Sequence, residues 1–299
     1  MRVVMPILLL AAVIPRAARP QEPLPVLPPQ VRSAYEARLA EARRAYQHTP
    51  DNADSIIWLG RRTAYLGHYR EAIGIFTEGI GKHPKDARMY RHRGHRFITI
   101  RDFSRAIADL ERGLELVRGK PDEVEPDGIP NARGIPTSSL HSNLRYHLGL
   151  VYYLTGDFGR AAAIYSEDVA TARATDNPDR LVSASHWLYM ALRRSGKPAE
   201  ATAVLQPVTS DLPVIENGSY HRLLLLYRGD LTPDSLLPGL NRDALSSVEH
   251  VTLGYGIGNW HLYNGRREEA LAIFRKVAAS PQWAAFGYIA AEAELKREK

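Results

Sequence analysis

Four histidines in this sequence have the side chains best suited to metal binding. His92 and His95 are three residues apart, so they share one face of a helix, and His147 and His186 occur in later helical segments. Three neutral imidazoles could hold Zn²⁺ or a similar ion. The helical pairing H-E-x-x-H is absent, however, and the spacing does not show that the histidines converge. A metal site is therefore an alternative interpretation, and we expect no metal and no cofactor.

The motifs of common enzyme classes are missing. The chain has no cysteines, which excludes disulfides, thiolate zinc sites and thiol nucleophiles. It also lacks the G-x-S-x-G elbow of serine hydrolases. The run Gly254-x-Gly256-x-Gly258 has the glycines of a phosphate loop, but it follows no strand and falls in a helical segment. We therefore expect a protein that is not an enzyme.

The charge of the chain is mildly basic. Its 299 residues include 39 Lys and Arg against 33 Asp and Glu, a formal net charge of +6. Removal of residues 1–20 would take away three arginines and no acid, which lowers this charge to +3. Nucleic acid binding needs a concentrated basic surface, because phosphate contacts dominate the affinity. The composition therefore argues against a nucleic acid partner.

The N-terminus has the pattern of a secretory signal peptide. Arg2 precedes an apolar run over residues 3–14, and a region of small residues ends at Ala18. The run is shorter than the roughly 20 residues that span a bilayer, and no later stretch is long enough. We expect residues 1–20 to be removed and the protein to be periplasmic or secreted without a membrane span, with an uncleaved anchor as the alternative.

The main pattern in the chain is a repeat of 34 residues. Five positions return after this interval: Gly60 as Gly94, Tyr69 as Phe103, Ala72 as Ala106, Gly79 as Gly113 and Ile80 as Leu114. A period of this length is typical of stacked helix pairs, because one pair cannot bury its apolar face alone. The sequence therefore predicts an all-α array in which each unit packs on the next.

The repeated unit resembles the tetratricopeptide repeat, whose pattern is W-x2-L-G-x2-Y, then A-x3-F, then P. The matching residues are Leu59, Gly60, Gly67, Tyr69, Ala72, Phe76 and Pro84, and again Leu148, Gly149, Tyr152, Gly156, Phe158, Ala161 and Tyr165. The departures are Ile56 for Trp, Thr63 for Tyr, Arg93 for Leu and Arg101 for the turn Gly. The resemblance implies a right-handed α-solenoid of about five helix hairpins with capping helices.

The repeat boundaries and the composition divide the chain into nine segments. They are a signal peptide (1–20), a proline-rich linker (21–30), an N-terminal capping helix (31–52), repeats one and two (53–117), an inserted loop (118–140), repeats three and four (141–210), a degenerate repeat (211–250), the last repeat (251–281) and a C-terminal capping helix (282–299). The capping helices are expected to cover apolar faces that the terminal repeats would otherwise expose.

The insertion at 118–140 interrupts the period with four prolines and four acids. Loops of this length inside a compact array are usually functional or disordered. The apolar Val124, Ile129 and Ile135 favour a loop that folds over the array, because solvated linkers rarely contain such apolar side chains. A disordered insertion is the alternative.

Helical geometry assigns the two sides of each first helix. At about 100° per residue, Tyr90, Gly94 and Phe97 share the packing side of one such helix. In tetratricopeptide repeats the first helices line a concave groove in which partners bind, so the resemblance implies that the opposite side meets a ligand. The predicted groove residues are Arg61, Tyr65, Arg88, Arg91, His92, His95, Asn143, Tyr146, His147, Tyr153, His186, Met190, Arg193, Tyr255, Asn259 and Tyr263.

A groove of Arg, His and Tyr suits carboxylates and peptide amides. We therefore expect a protein–protein interaction scaffold in the periplasm or envelope of a bacterium, with an acidic protein or peptide partner. A small-ligand or metal-binding protein that uses the same His and Tyr lining is the alternative. The insertion is an internal competitor, because its four acids between Asp122 and Asp127 could pair with Arg88 and Arg91 and plug the groove.

Overall fold

Fourteen α-helices form the described part of this computed structural model, residues 22–238 and 245–298. They are α1 (Pro29–His48), α2 (Ala53–Tyr65), α3 (Tyr69–Lys82), α4 (Ala87–Thr99), α5 (Phe103–Val117), α6 (Leu140–Thr155), α7 (Phe158–Ala174), α8 (Pro178–Arg194), α9 (Pro198–Val204), α10 (Gly218–Arg228), α11 (Pro233–Leu236), α12 (Val248–Tyr263), α13 (Arg267–Val277) and α14 (Phe286–Arg297). None of these helices combines the length and the apolar character needed to cross a membrane. The predicted all-α fold of helix hairpins is confirmed.

Local polar contacts determine where several helices begin and end. Asn177 accepts a hydrogen bond from the Arg180 amide at the start of α8, and Ser139 forms a capping box with Ser142 before α6. Such caps satisfy amides that the first helical turn leaves unpaired. Gly156 ends α6 at φ 86°, a left-handed conformation that glycine adopts without strain from a Cβ atom.

Within a hairpin the two helices cross where a glycine meets a large side chain. The large residue comes 16 positions after the glycine in four hairpins, which pair Gly60 with Phe76, Gly94 with Leu110, Gly149 with Tyr165 and Gly258 with Phe274. A Cβ atom on these glycines would lie 2.5–2.8 Å from the partner side chain. Close helix packing therefore explains the glycine positions, including part of the glycine run in α12.

The first helices of the hairpins form an inner layer. Helix α2 packs on α4, α4 on α6 and α6 on α8, and α12 packs on both α8 and α10. The second helices α3, α5, α7 and α13 each pack on the first helix of their own pair. Trp283 near the C-terminus contacts Tyr69 of α3, with ring centroids 6.0 Å apart. The array therefore curves back so that its last segment reaches its first hairpins.

Helix α14 closes the array, whereas the segment 282–299 was expected only to cap it. Phe286 contacts His95 of α4 and His147 of α6, at ring-centroid distances of 5.2 and 5.6 Å. Arg101, at the position of the missing turn glycine, has a backbone φ of 62° and donates a hydrogen bond of 2.8 Å to Glu292 of α14. Part of the concave groove is therefore occupied by the chain itself.

A buried carboxylate anchors this closure. Glu294 is 1% exposed, and its Oε1 lies 2.8 Å from guanidinium nitrogens of both Arg194 and Arg297. Arg297 also donates to the carbonyl oxygens of Tyr153 and Leu154 at the end of α6. The ion pairs of Glu294 join α14 to α8 through Arg194, and the charge-assisted hydrogen bonds of Arg297 join α14 to α6.

Two helices begin before the predicted boundaries of their segments. Helix α1 begins at Pro29, inside the predicted linker 21–30, because proline is well accommodated in a first helical turn. Helix α12 begins at Val248 rather than near residue 251, because the Ser247 side chain caps it.

Four predicted segments extend beyond the described residues, two of them (21–30 and 282–299) by a single residue. The signal peptide at 1–20 lies entirely outside them. The degenerate repeat at 211–250 contains α10 and the four-residue α11, but residues 239–244 are outside the described ranges.

Polar contacts hold the insertion against the inner helices. Val124, Ile129 and Ile135 are 68, 56 and 43% exposed, so the apolar side chains that favoured a folded-over loop do not hold it. Glu125 is 5% exposed instead, and the Gly128 carbonyl oxygen accepts a 2.7 Å hydrogen bond from Arg62 of α2. Hydrogen bonds and charged contacts, rather than the burial of apolar side chains, hold the insertion over the array.

Candidate functional site

The concave side retains a cavity of about 330 Å³, named the central cavity below. Its walls come from α4, α6, α7, α8, α10, α14, the insertion and the segment before α10. The lining residues are Arg91, His95, Thr137, Ser138, Ser142, Asn143, Tyr146, His147, Asp168, Arg180, Ser183, Glu216, Asn217, Tyr220 and Phe286. This volume is at the lower end of the range for pockets that bind small ligands.

Helix α4 and the insertion form one wall. Arg91 Nη1 lies 2.8 Å from His92 Nδ1, and Glu125 lies 3.2 Å from both Arg91 Nε and His92 Nε2. Arginine can only donate, so His92 Nδ1 accepts and Nε2 carries the hydrogen. Burial lowers the pKa of His92 to about 3, and Arg91 adds to this effect. Burial alone would raise the pKa of Glu125, but Arg91 and His92 outweigh it and hold this pKa below its usual value.

Two further imidazoles meet at this wall, with ring centroids 4.4 Å apart. Arg96 donates to His95 Nδ1 at 2.6 Å, so His95 keeps its hydrogen on Nε2. His147 Nδ1 donates to the Asn143 carbonyl oxygen at 2.6 Å, so its Nε2 is an acceptor. Burial lowers the pKa of His147 to about 3 and that of His95 well below its usual value. One neutral donor and one neutral acceptor therefore remain near neutral pH.

Aromatic side chains form the wall between α6 and α10. The hydroxyl oxygens of Tyr146 and Tyr220 are 2.6 Å apart, and Trp187 Nε1 donates to the Tyr146 hydroxyl at 3.1 Å. Burial raises the pKa of both tyrosines, so their hydroxyls stay protonated. Phe286 adds an apolar ring 6.0 Å from that of Tyr146. This wall offers hydroxyl groups beside flat apolar surface, a combination that suits both amides and aliphatic groups.

Charged side chains line the opposite wall. The buried Arg180 donates from Nε to Asp168 at 2.8 Å, and burial raises the pKa of Asp168 although Arg180 opposes this. The Asp179 carboxylate accepts hydrogen bonds of 2.8–2.9 Å from three consecutive backbone amides before α10. These bonds hold the segment that carries Glu216, which in turn accepts a hydrogen bond from Thr137 of the insertion. The central cavity therefore contains both signs of charge.

A smaller cavity of about 120 Å³ lies between α2 and α4 and is named the arginine pocket below. Its lining residues are Arg61, Ala64, Tyr65, Phe76, Arg91, His92, His95 and Arg96. No Asp or Glu of the described ranges belongs to this lining. Arg91 and His95 line both cavities, so the two spaces share a wall.

The structure brings eight of the predicted groove residues to these two cavities. They are Arg61, Tyr65, Arg91, His92, His95, Asn143, Tyr146 and His147. All eight come from α2, α4 and α6. His92 and His147 are each only 4% exposed, so they form buried walls and were wrongly expected on an open surface.

Five other predicted groove residues are core residues. Each is at most 1% exposed, and the set is Tyr153, His186, Met190, Tyr255 and Asn259. Asn259 of α12 donates a 2.7 Å hydrogen bond to the Tyr153 hydroxyl of α6. The prediction failed for these residues because α12 and α14 pack against the side of α6 and α8 that would be free in an open groove.

The last three predicted residues lie away from both cavities. Arg88 is paired with Asp54 and Asp86 at the start of α4, each at 2.6 Å, so it does not meet the insertion. Arg193 stacks on the Tyr263 ring, 4.3 Å from its centroid, at the far end of α8 and α12. The predicted groove residues that reach a cavity are thus confined to α2, α4 and α6.

Sequence reasoning missed four residues with a clear place in the two cavities: Arg96, Arg180, Glu216 and Phe286. Arg96 follows His95 directly, and this adjacent pair was a usable signal. Arg180 lies in the first turn of α8, six residues before His186, where the predicted groove residues of this helix begin. Glu216 and Phe286 lie where no repeat signal exists.

The histidines do not form a metal site within the described ranges. Those residues contain no group of three or more His, Asp or Glu side chains arranged to hold a metal ion. His186 lies instead against the rings of Tyr220 and Tyr227, at centroid distances of 4.8 and 5.8 Å.

No family model matches the sequence. Among solved structures, a tetratricopeptide repeat protein from Parabacteroides merdae aligns with a TM-score of 0.50 at 15% identity, over 84% of this chain and 88% of its own. The chain has the tetratricopeptide repeat fold. The resemblance seen in the motif residues is confirmed, and the hairpins described above are its tetratricopeptide units.

Two further similarities involve proteins that are also described as tetratricopeptide repeat proteins. Tetratricopeptide repeat protein 13 from Homo sapiens is 31% identical over 86 residues, which are 29% of this chain but only 10% of that protein. YrrB, a tetratricopeptide repeat protein with an unusual peptide-binding site, has 16% identity and a TM-score of 0.42, over 85% of this chain and 97% of YrrB. What the present chain binds has to follow from its own cavities.

Proposed function

We propose that this protein is an interaction scaffold that takes a polar segment of a partner protein into the central cavity. The observation that supports this best is the cavity of about 330 Å³ on the concave side, which α14 and the insertion otherwise cover. Its walls include the inner helices α4, α6 and α8, the layer that faces partners in an array of this fold.

The lining indicates what kind of segment fits. Asn143 and Tyr146 offer hydrogen-bonding groups to a peptide, and His147 Nε2 offers an acceptor. Arg91 and Arg180 already hold carboxylates of the chain itself, so a strongly acidic segment would gain less there than in an unpaired groove. We therefore revise the expected acidic partner to a segment rich in amide and hydroxyl groups.

A binding role suits this lining better than acid–base catalysis. General acids and bases work best when their pKa lies near the working pH. His95 and His147 have a strongly lowered pKa, so neither exchanges a proton near neutral pH.

Export of the protein remains part of the proposal. It is supported by the apolar run over residues 3–14 and the small residues that end at Ala18. Fractionation of cells that express the full chain with a C-terminal tag should recover a shortened protein in the periplasmic or culture fraction. Recovery of the full-length chain in the cytoplasm would contradict this part.

The central cavity can be tested by filling it. Ser183 of α8 lines the cavity and is half-buried, so Ser183→Trp would block it. We expect this variant to recover at least about tenfold less partner protein from an envelope extract than the wild type does. Ser104→Trp, at an exposed position on α5, is the matched control and should recover as much as the wild type. Equal recovery by both variants, with unchanged circular dichroism, would rule out use of this cavity.

A further inference from the structure

The arginine pocket has three arginines, and no acid of the described ranges, in its lining. Arg61, Arg91 and Arg96 line the same 120 Å³ space. Arg91 is paired with Glu125, which approaches from outside the pocket lining. Among the described residues, Arg61 contacts Tyr65 and the Trp58 ring, and no carboxylate lies within ion-pair distance of it.

Arg96 is the residue that most needs a counter-charge. It is intermediate in residue exposure, with the guanidinium deep in the protein, where it donates to His95 Nδ1 and lies 6.0 Å from the Tyr69 ring centroid. No carboxylate of the described ranges pairs with it. Burial, together with the charges of Arg91 and Arg61, lowers the pKa of Arg96 to about 10. Buried charges in folded proteins are normally paired, because an unpaired one loses its hydration without compensation.

A bound anion could supply that counter-charge, because the pocket has the space and the hydrogen-bond donors to hold one. A water molecule needs about 10–15 Å³ of such space, so 120 Å³ has room for a tetrahedral or planar oxyanion. Guanidinium groups bind carboxylate and phosphate oxygens in two-pronged fashion. The neutral His95 retains an Nε2 hydrogen, which gives a donor beside the guanidiniums.

We propose that the arginine pocket binds a small oxyanion, a phosphate or carboxylate group, between α2 and α4. The site stands independently of the proposed function, because a partner could enter the central cavity whether or not this pocket is filled. The oxyanion could be a free ion or a side chain of a partner. Gly128 of the insertion lies against Tyr65 and Arg61, so a side chain would have to displace the insertion, whereas a free ion would not. The geometry favours a free ion.

Titration calorimetry of the full folded protein in a chloride buffer tests this site. Inorganic phosphate and acetate are titrated separately, followed by a short peptide rich in glutamate. We expect saturable binding of phosphate or acetate and a rise in Tm with ion concentration, since a ligand that binds only the folded state stabilises it. Binding of the peptide alone would assign the site to a partner carboxylate. No binding and no Tm shift with any of the three, up to about 10 mM, would overturn the proposal.

Variants locate the binding within the molecule. Arg61→Gln removes a guanidinium that is only half-buried, so we expect it to fold and to weaken oxyanion binding by at least about tenfold. Arg105→Gln removes an exposed arginine of α5 and should leave the affinity unchanged. If both variants bind the ion as the wild type does, the ion is held elsewhere and the arginine pocket is not its site. Tyr65→Phe, which removes one hydroxyl and keeps the ring, provides a second variant should Arg61→Gln fail to fold.

Discussion

Four histidines whose pKa is strongly lowered, three of them buried and His95 partly exposed, should make the stability of this protein fall sharply in mild acid. Burial lowers the pKa of His92, His147 and His186 to about 3 and that of His95 well below its usual value. In the unfolded chain an imidazole titrates near a pKa of about 6.5. Between these values the unfolded state binds protons that the folded state does not. The histidines therefore leave stability intact above about pH 6.5 and reduce it as the pH falls towards 3.

The size of the effect depends mainly on the unfolded chain, provided that the folded histidines stay neutral. Between about pH 7.5 and 5.5, one such histidine lowers the free energy of unfolding by about 1.4 kcal/mol. Four of them lower it by about 5 kcal/mol, with 3–4 protons taken up on unfolding at about pH 5.5. Carboxylates contribute little in this interval, because they titrate near about 4. The loss is a large part of the roughly 5–15 kcal/mol of an ordinary domain.

Urea unfolding followed by far-ultraviolet circular dichroism at the two pH values measures this directly. His186→Phe should reduce the pH-dependent loss by about a quarter, since it removes one titrating group and keeps a ring against Tyr220 and Tyr227. His68→Gln changes an exposed histidine and should leave the loss as it is. If the free energy of unfolding is the same at about pH 7.5 and 5.5, the neutral buried histidines described here are refuted.

Three substitutions test the packing of the array by urea unfolding. Gly60→Ala should lower the free energy of unfolding by about 1–3 kcal/mol, because the new Cβ atom would lie 2.5 Å from the Phe76 ring. Gly74→Ala on the same hairpin should raise the free energy of unfolding by about 0.5–1 kcal/mol, because that Cβ position has no contact within 4 Å outside its own helix backbone. If Gly74→Ala were less stable than Gly60→Ala, the hairpin packing would be contradicted. Glu294→Gln should lower the free energy of unfolding by roughly 3 kcal/mol, because Arg194 would lose its buried carboxylate. A change below about 1 kcal/mol would show that the docking of α14 does not depend on this contact.

The sequence was sufficient to predict the hairpins because their packing is local. A glycine and the large residue 16 positions later lie on the two helices of one hairpin, as Gly149 and Tyr165 do. Such a contact recurs in the sequence at a fixed spacing, and a side-chain cap such as Asn177 before α8 is also read from adjacent residues. The fold of each unit could therefore be inferred from short stretches of sequence, and stacking follows from the apolar faces that the units leave uncovered.

The groove was predicted less well because it depends on contacts between residues far apart in the chain. Helical periodicity placed Tyr153 and Asn259 on the concave side, where an open array would leave them free. They are buried against each other because α12 and α14 fold back over α6 and α8. Nothing in the spacing of residues near Tyr153 signals a partner about a hundred positions later. Only α2, α4 and α6 bring predicted groove residues to the two cavities.

The insertion is a part of the cavity wall that is held by polar contacts and has few buried apolar side chains. The inner helices bury apolar side chains on both sides, so moving them would break the continuous core. The insertion instead leaves Val124 and Ile129 exposed and is held by polar contacts such as Glu125 on Arg91 and the Gly128 carbonyl on Arg62. Segments with few buried apolar contacts open locally at a free energy far below that of global unfolding. A partner that supplies replacement hydrogen bonds could therefore displace the insertion while the solenoid stays folded.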